Sequence, residues 1–209
     1  MRSCLVLAVA TLLTSSLTAD APKGFEPLFN GKDLSGWKAT GDMKVWGVED
    51  GILYVKGGGG GWLMTEKQYA DYELRLEFKM PKMGNSGVGL RAPLQGDPAY
   101  QGMEIQLLDD DNWKDQKLRP VQQTGSIYDV VPAAKIVTKP HGQWNAMRIV
   151  AKGREILIEL NGTKLVDADL DRYKEHAKRH PGIMRKTGHI GLQSYNFKVE
   201  FKNIYLKPL

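Results

Sequence analysis

Cysteine is nearly absent from this sequence, because its 209 residues include only Cys4. Cys4 lies in an N-terminal segment that has the pattern of a removable leader. Without that leader the chain has no cysteine, which excludes disulfides, a thiol nucleophile and a cysteine-ligated metal site. Too little apolar sequence precedes Cys4 for lipid attachment, so we interpret it as an incidental residue of the leader.

Long apolar runs are also lacking beyond the N-terminus, and the sequence predicts no membrane span. Arg2 is followed by an apolar run over residues 5–13 and then by the small residues Thr18 and Ala19, which is the pattern of a secretory signal peptide. The run is too short for a spanning helix, which needs about 20 residues. We expect a signal peptide at residues 1–19 and export to the periplasm or out of a bacterial cell. The exact cleavage bond stays open.

A concentrated charge of one sign is missing as well. The formal net charge is +5, but lysines and arginines are scattered, and the densest basic stretch, residues 172–186, also holds Glu175. Nucleic-acid binding requires a clustered basic patch or a known reading motif, and the sequence shows neither. We therefore expect no nucleic-acid partner.

Helical periodicity is weak, and only residues 169–177 could form a helix or a turn. Residues 72–80 alternate apolar and charged side chains, as a half-buried strand does. Elsewhere, turn signals separate short β-prone runs, the clearest being Asp-Gly at 50–51 and Asn-Gly at 161–162. We find no linker or internal repeat, and predict that residues 20–209 form a single all-β domain, an antiparallel β-sandwich of the jelly-roll type with little helix.

A series of motifs, in a fixed order, covers nearly the whole chain after the leader: FEPLFNGKDLSGW (25–37), WGVEDG (46–51), YELRLEF (72–78), NSGVGLR (85–91), YQGMEIQ (100–106), TGSIY (124–128), GQWN (142–145), GHIGLQ (188–193) and FKNI (201–204). In these motifs the chain resembles the family of 3-keto-glucoside lyases/hydratases and 3-keto-disaccharide hydrolases. The resemblance implies a concanavalin/laminin-G-like jelly roll. Some relatives carry a histidine two positions after the glutamine of the Gly-Leu-Gln motif, whereas this chain has Tyr195 there.

Strand alternation predicts a polar face shared by three glycine-containing segments, residues 85–91, 103–107 and 189–193. If their apolar members face the core, the opposite face carries Arg91, Glu104, Gln106, His189 and Gln193. The interspersed glycines let a ligand approach the backbone. If the three strands belong to one sheet, its outer face forms a shallow polar trough. The alternative is a sheet face that shows polar residues to water without binding anything.

Such a trough suits a sugar, which needs forked donors and acceptors together with an aromatic platform. Trp62, Trp46, Trp113 and Tyr128 could supply that platform, although Trp37, Trp46 and Trp144 also have the pattern of core residues. We assign substrate contacts to Trp62, Asn85, Gln106, Gln193, Asp109 and Lys139.

A metal site is a further possibility at the carboxylate run 109–111, because calcium takes oxygen ligands. The full spacing of a calcium loop is absent, and a solvated turn is the favoured interpretation. His141, His176 and His180 could carry protons or bind a metal, but we predict surface positions for them.

The resemblance implies cleavage of a glycosidic bond in a sugar oxidised at C3. We assign Glu104 as the base, Arg91 or a bound metal as the partner of the enolate oxygen, and Tyr128 or His189 as the acid. The sequence also leaves two other classes of protein open. One is a non-catalytic carbohydrate-binding module, and the other is a structural or adhesion domain of the cell envelope.

Overall fold

The computed structural model describes residues 21–59 and 61–209 as two facing antiparallel sheets. The expected signal peptide, residues 1–19, and Cys4 lie outside the described residues. The strands are β1 (Glu26–Pro27), β2 (Trp37–Ala39), β3 (Trp46–Glu49), β4 (Ile52–Val55), β5 (Trp62–Thr65), β6 (Tyr72–Lys79), β7 (Asn85–Ala92), β8 (Met103–Leu108), β9 (Trp144–Lys152), β10 (Glu155–Leu160), β11 (Thr163–Asp169), β12 (His189–Gln193) and β13 (Val199–Pro208).

The helices are short, as the sequence predicts. Two are α-helical turns, α1 (Pro98–Gln101) and α2 (Asp110–Trp113). The others are 3₁₀-helices: Met43–Val45, Lys114–Gln116, Pro120–Gln122, Leu170–Lys178 and Pro181–Met184. The segment predicted to form a helix or turn thus becomes the 3₁₀-helix that begins at Leu170, where the Asp169 carboxylate accepts a hydrogen bond from the Asp171 amide.

The larger sheet has eight strands in the order β11-β10-β9-β6-β13-β4-β3, and β1 also pairs with β13. The smaller sheet has five strands in the order β2-β5-β12-β7-β8. The predicted hairpins are confirmed, since β3 pairs with β4 and β10 with β11. At both turns the residues have positive φ, 50° and 77° at Asp50 and Gly51, and 52° and 77° at Asn161 and Gly162.

The hydrophobic core lies between the two sheets. Phe78 and Phe201 of the larger sheet and Val88, Leu90 and Ile105 of the smaller one are fully buried. Each such side chain contributes about 1.5–3 kcal/mol through burial. The sandwich therefore leaves its two outer faces free to carry polar groups. Among the described residues, no helix has the length and apolar character needed to cross a membrane.

The tryptophans predicted to lie in the core divide between two environments. Trp37 and Trp46 are buried in the core, and the Trp37 indole N–H donates to the Leu28 carbonyl oxygen at 2.9 Å. The prediction is wrong for Trp144, which is only partly buried. Its ring lies under the ammonium groups of Lys79 and Lys202, 4.9 and 4.3 Å from the ring centroid, so a pair of cation–π contacts replaces core packing.

Candidate functional site

The three segments predicted to form a trough belong to one sheet. In the smaller sheet Glu104 of β8 lies opposite Gly89 of β7, and Gly89 lies opposite Gly191 of β12. Paired residues of antiparallel strands point to the same side of a sheet. Since the alternate residues Val88 and Ile105 are buried in the core, Glu104 extends from the outer face.

A second row on the same face supplies amide groups. Gln106 lies opposite Gly87, and Gln193 lies opposite Trp62 of β5. The Gln106 side-chain amide donates to Asn85 Oδ1 at 3.3 Å, which orients two amides side by side. This row places donors and acceptors within reach of the Glu104 carboxyl.

Glycines make the space in which these side chains lie. A Cβ added at Gly87 would lie 2.0 Å from Glu104 Oε1, so the carboxyl group occupies the volume that a side chain at position 87 would fill. A Cβ at Gly89 would lie 3.2 Å from the indole ring of Trp62. The Glu104 carboxyl and the Trp62 ring thus lie directly over bare backbone.

A pocket of about 190 Å³ forms above this face. Five of the residues that we predicted as site residues line it: Asn85, Glu104, Gln106, Tyr128 and Gln193. Trp62 lines an adjoining hollow that shares Gln193 with the pocket. The structure thus brings five of the predicted residues into one pocket and places Trp62 beside it.

Glu104 has the most unusual environment in the pocket. The residue is 3% exposed, and its Oε1 atom has no hydrogen-bond partner among the described residues. Burial raises the pKa of the Glu104 carboxyl to about 8, and the nearby carboxylate of Asp97 adds to this effect. A carboxyl group of this kind is poised to exchange a proton near neutral pH.

Two tyrosines form the wall beside Glu104. The Tyr128 backbone N–H donates to the Glu104 carbonyl oxygen at 2.8 Å, which ties Tyr128 to β8. Its hydroxyl accepts a hydrogen bond from the Gln122 amide at 3.4 Å. The Tyr100 ring meets the Tyr128 ring edge to face, with centroids 6.5 Å apart. Burial raises the pKa of the Tyr100 hydroxyl, so this group stays protonated and able to donate.

Four lining residues were not predicted from the sequence as pocket members: Asp97, Ala99, Tyr100 and Tyr195. The first three belong to the connection between β7 and β8, where the Asp97 carboxylate caps α1 by accepting from the Ala99 amide at 3.0 Å. An Asp-Pro pair signals such a helix start, but no sequence signal shows that the helix folds over Glu104. Tyr195 follows the last strand of the face, at the position where some relatives carry histidine.

Arg91 lies away from the pocket, and its predicted outward position is wrong. The side chain is fully buried. Its guanidinium donates to the carbonyl oxygens of Ala70 at 2.9 Å, Gly153 at 2.7 Å and Arg185 at 3.4 Å, and to Asp71 Oδ1 at 3.1 Å. These contacts join the segment before β6, the β9–β10 turn and the segment before β12, so Arg91 stabilises the sandwich and does not line the Glu104 pocket.

A β-bulge explains why alternation fails at this point. Arg91 has φ of 50°, and the pairing between β7 and β12 changes register between His189 and Gly191. An extra residue in a strand turns the following side chain toward the other face. Alternation holds up to Leu90 and breaks at the next residue.

Two further predicted site residues are also engaged elsewhere. His189 is buried, and its Nδ1–H donates to the Thr65 carbonyl oxygen at 2.7 Å, which joins β12 to the end of β5. The Lys139 ammonium donates to the Trp144 carbonyl oxygen at 2.9 Å. Neither residue lines the Glu104 pocket, so their predicted positions in the cleft are wrong.

The aspartates of the 109–111 run serve the fold. Asp109 is buried and accepts from the Met83 amide at 2.9 Å and from the Asn112 side chain at 2.7 Å. Asp110 is also buried and accepts from the Thr138 hydroxyl at 2.8 Å. The interpretation of Asp109 and Asp110 as a solvated turn is therefore wrong. Asp109, which we predicted to contact substrate, does not line the Glu104 pocket. Across residues 21–59 and 61–209, no group of three or more His, Cys, Asp or Glu side chains is placed to hold a metal ion.

Of the four aromatic residues predicted as a platform for a sugar, two lie at the pocket or beside it. Trp46 is buried in the core, and Trp113 lies in α2, outside the pocket. Tyr128 lines the pocket and Trp62 lines the hollow beside it. Tyr128 is partly exposed there, whereas Trp62 is 4% exposed and packs with Met64, Ala92 and Ala99, so of the two only Tyr128 presents much of its ring to a ligand.

His180 supports the pocket wall from behind, although we predicted a surface position for it. The residue is 2% exposed, and its Nε2 atom lies 3.3 Å from Asp129 Oδ2. Its ring stacks on Tyr100 with centroids 4.8 Å apart. His180 thus holds in place a tyrosine that faces Glu104.

A larger hollow, about 490 Å³, lies on the outer face of the eight-stranded sheet. The Arg148 guanidinium that lines it is already paired with carboxylates. Arg148 donates to Glu73 Oε1 at 2.7 Å and to Glu159 Oε2 at 3.1 Å. The Glu104 pocket is the better candidate site, because its carboxyl group is buried and has no ion-pair partner among residues 21–59 and 61–209.

Comparisons with known proteins identify the family to which the chain belongs. Residues 24–207 match the family model of the 3-keto-alpha-glucoside-1,2-lyase-like domain. A 3-keto-disaccharide hydrolase of Bacteroides thetaiotaomicron is 29% identical over 245 aligned residues, which cover 97% of this chain and 84% of that protein.

Solved structures show the same fold. A crystal structure from Parabacteroides distasonis, assigned as a glycosyl hydrolase, has 31% identity and a TM-score of 0.78, covering 89% of this chain and 94% of its own. The carbohydrate-binding module CBM66 of Bacillus subtilis, at 13% identity and a TM-score of 0.57 with 82% and 95% covered, shares the fold alone. The jelly-roll prediction and the family resemblance are both confirmed. This chain belongs to the family of 3-keto-alpha-glucoside-1,2-lyase-like domains.

Proposed function

We propose that the protein cleaves the glycosidic bond of 3-keto-glucosides and 3-keto-disaccharides, with Glu104 as the base that removes the proton from C2. The observation that carries this proposal is the Glu104 carboxyl, which is buried at the floor of a polar pocket and has a pKa of about 8. One of its oxygens has no hydrogen-bond partner in the described part of the chain. The family membership and the hydrolase relative support the substrate class.

The chemistry requires one strong base. A ketone at C3 acidifies the hydrogen on C2, and its removal gives an enolate. The enolate then expels the group at C1, and water adds to the resulting double bond. A carboxylate whose conjugate acid has a pKa near 8 is a much stronger base than an ordinary glutamate, and it is ionised to a useful extent near neutral pH. This route differs from that of ordinary glycosidases, in which two carboxylates flank an oxocarbenium-like centre.

The remaining roles fall to the neighbours of Glu104 in the pocket. Arg91 is too distant to bind the enolate oxygen, so the side-chain amides of Asn85 and Gln193 take this role as hydrogen-bond donors. The Tyr128 hydroxyl supplies the proton to the leaving oxygen. Each of these groups lines the same pocket as the Glu104 carboxyl.

A comparison of two sugars tests the function. We expect the protein to release free sugar from a 3-keto-disaccharide and none from the same disaccharide with a hydroxyl at C3, because only the ketone acidifies C2. In heavy water the recovered substrate or product should carry deuterium at C2, as measured by mass spectrometry. Release from the unoxidised sugar, or release without exchange at C2, contradicts the mechanism. Binding that quenches tryptophan fluorescence with no release identifies the alternative, a non-catalytic binding module.

The pH dependence tests the role of Glu104 as a base. Because only the ionised carboxyl removes a proton, kcat/KM should rise about tenfold per pH unit below about pH 8 and level off above it. Initial rates at low substrate concentration, taken from about pH 6 to about pH 10, measure this profile.

Asp97→Asn provides the control for this profile. Asparagine caps helices as well as aspartate does, so α1 is preserved, while the charge that raises the pKa of Glu104 is removed. The midpoint should therefore move to lower pH. A wild-type profile that falls with increasing pH assigns Glu104 as an acid and refutes its role as the base.

A further inference from the structure

Tyr100 is a pocket residue whose hydroxyl is available to a ligand. It lies in α1 and lines the Glu104 pocket together with Tyr128. The Tyr128 hydroxyl accepts a hydrogen bond from Gln122 at 3.4 Å, whereas the Tyr100 hydroxyl makes no hydrogen bond to any of the described residues, 21–59 and 61–209. A phenol that lines a polar pocket in this way can donate its proton to an oxygen of the substrate.

The Tyr100 ring is fixed by two other aromatic rings. It stacks on the His180 ring, with centroids 4.8 Å apart and planes 27° apart, and meets the Tyr128 ring edge to face at 6.5 Å. The backbone adds to this contact, because a side chain at Gly182 would collide with the carbonyl oxygen of Gly102, directly after α1. The segment that carries His180 therefore packs closely against the end of α1, and the Tyr100 hydroxyl has little freedom to move.

The His180 ring is itself held by a buried carboxylate. Its Nε2–H donates to Asp129 Oδ2 at 3.3 Å, and the two residues are only 2% and 6% exposed. Arg119 and Arg179 form ion pairs with the same carboxylate. Asp129 has φ of 61°, and its amide donates to the Val121 carbonyl oxygen at 3.0 Å. Contacts from three separate segments thus fix the carboxylate that orients His180.

A rigid donor is what the formation of an enolate requires. When the C2 proton leaves, negative charge develops on the C3 oxygen of the sugar. Donors that are already oriented stabilise this charge without reorganising during the reaction. Tyrosine hydroxyls occupy this position in other enzymes that form enolates. The Tyr100 hydroxyl, on a ring fixed from two directions, meets the requirement.

The protonation states of the two pocket groups fit these roles. The pKa of the Glu104 carboxyl is about 8, whereas burial raises the pKa of the Tyr100 hydroxyl above its ordinary value of 10. Between these values Glu104 is ionised and accepts a proton, while Tyr100 keeps its own proton and donates a hydrogen bond.

We propose that Tyr100 is a further catalytic residue, whose hydroxyl donates a hydrogen bond to the C3 oxygen as the enolate forms, and that Asp129 and His180 position its ring. The C2 proton passes to the Glu104 carboxylate, the C–H electron pair forms the double bond between C2 and C3, and the carbonyl pair moves to the C3 oxygen. The Tyr100 O–H bond stays intact and adds a hydroxyl to the two amide donors. This inference rests on the proposed function for the reaction itself.

Two tyrosine variants test the role of Tyr100. In heavy water, mass spectrometry measures the total deuterium that enters C2 of a 3-keto-disaccharide and its products, and a sugar assay measures release. Tyr100→Phe should slow entry of deuterium about hundredfold, the effect of removing one oxyanion donor. Tyr128→Phe should slow release while deuterium still enters C2 of the recovered substrate, because Tyr128 acts on the leaving oxygen after the enolate has formed.

A double-variant comparison tests the positioning role of His180. His180→Phe retains a ring to stack on Tyr100 but cannot donate to Asp129, which keeps both arginines as partners. It should slow C2 exchange at least about tenfold in the wild-type background. In the Tyr100→Phe background it should have no further effect, since the hydroxyl that His180 positions is already gone. A merely structural role would slow exchange equally in both backgrounds.

Tyr173→Phe is the matched control, because the Tyr173 ring also contacts a histidine, His176, at 6.3 Å but does not line the pocket. It should change neither exchange nor release, and Tyr100→Phe should melt close to wild type because its ring contacts remain. Wild-type exchange in Tyr100→Phe, or loss of release alone, overturns the role of Tyr100 and leaves the proposed function standing. Equal effects of His180→Phe in the two backgrounds overturn its positioning role. A wild-type protein with neither exchange nor release overturns the proposed function, and the role of Tyr100 with it.

Discussion

Glu104→Gln is expected to abolish sugar release from a 3-keto-disaccharide, lowering kcat by at least about a thousandfold. Glutamine fills the same volume above Gly87 but cannot accept the C2 proton. Release is measured with the folded variant under the conditions of the wild-type assay. Glu155→Gln, at an exposed position at the start of β10, is the control and should retain full turnover. Unchanged turnover of the Glu104→Gln protein removes Glu104 from the mechanism.

The same substitution is expected to change how stability depends on pH. Folding raises the pKa of the Glu104 carboxyl from 4.5 to about 8, so this group binds its proton more tightly in the folded state. Stability therefore falls as pH rises through this window, and the loss approaches about 5 kcal/mol above pH 8. Glutamine does not titrate, so the melting temperature of the variant relative to wild type should increase from about pH 5 to about pH 9 by several degrees. A difference that is constant with pH contradicts the raised pKa.

Arg91→Met is expected to lower the free energy of unfolding by about 3–5 kcal/mol, measured by urea denaturation. The substitution removes a buried guanidinium that donates hydrogen bonds to three backbone carbonyl oxygens and to Asp71. These acceptors then lose their donor. The fraction that stays folded should retain kcat, because the side chain does not line the pocket.

Arg148→Met is the matched control for this loss. Arg148 also binds carboxylates, but on the outer face of the larger sheet, where its side chain is 32% exposed. The Glu73 carboxylate is buried but keeps Arg75 as a partner at 2.7 Å, so this variant should lose less stability than Arg91→Met. A kcat that falls in Arg91→Met while the free energy of unfolding is unchanged would restore Arg91 to the active site.

The contrast between Glu104 and Arg91 shows how far the sequence predicts this site. Alternation within a strand fixes the face of each residue, so the outward positions of Glu104, Gln106 and Gln193 followed from their apolar neighbours. Alternation cannot predict a β-bulge. The extra residue of β7 depends on the pairing with β12, which is distant in sequence, and on the φ of 50° at Arg91. One local irregularity therefore moved a predicted catalytic residue to the opposite side of the sheet.

The sequence also did not predict where the connections between strands pack in the folded protein. Asp97 and Tyr100 have ordinary turn and helix-start signals, and only the packing of α1 beside β8 brings them to Glu104. The same holds for His180, whose burial depends on stacking with Tyr100 from a segment 80 positions earlier in the chain. Such contacts between segments far apart in sequence leave no periodic pattern to detect.

Glu104 lies on a strand, whereas the residues that close its pocket lie in a connection, and this difference affects how the sequence of the fold can change. Glu104, the proposed base, lies on the edge strand β8, which pairs with β7 on one side and accepts hydrogen bonds from the Gly125 and Tyr128 amides on the other. Residues 93–102, which close the pocket, form a link with no strand pairing of their own. Insertions or exchanges within that link that spare Tyr100 can reshape the entrance and select other saccharides without unpairing β7 from β8. The proposed proton abstraction at Glu104 and the choice of ligand can in this way be adjusted separately in one small sandwich.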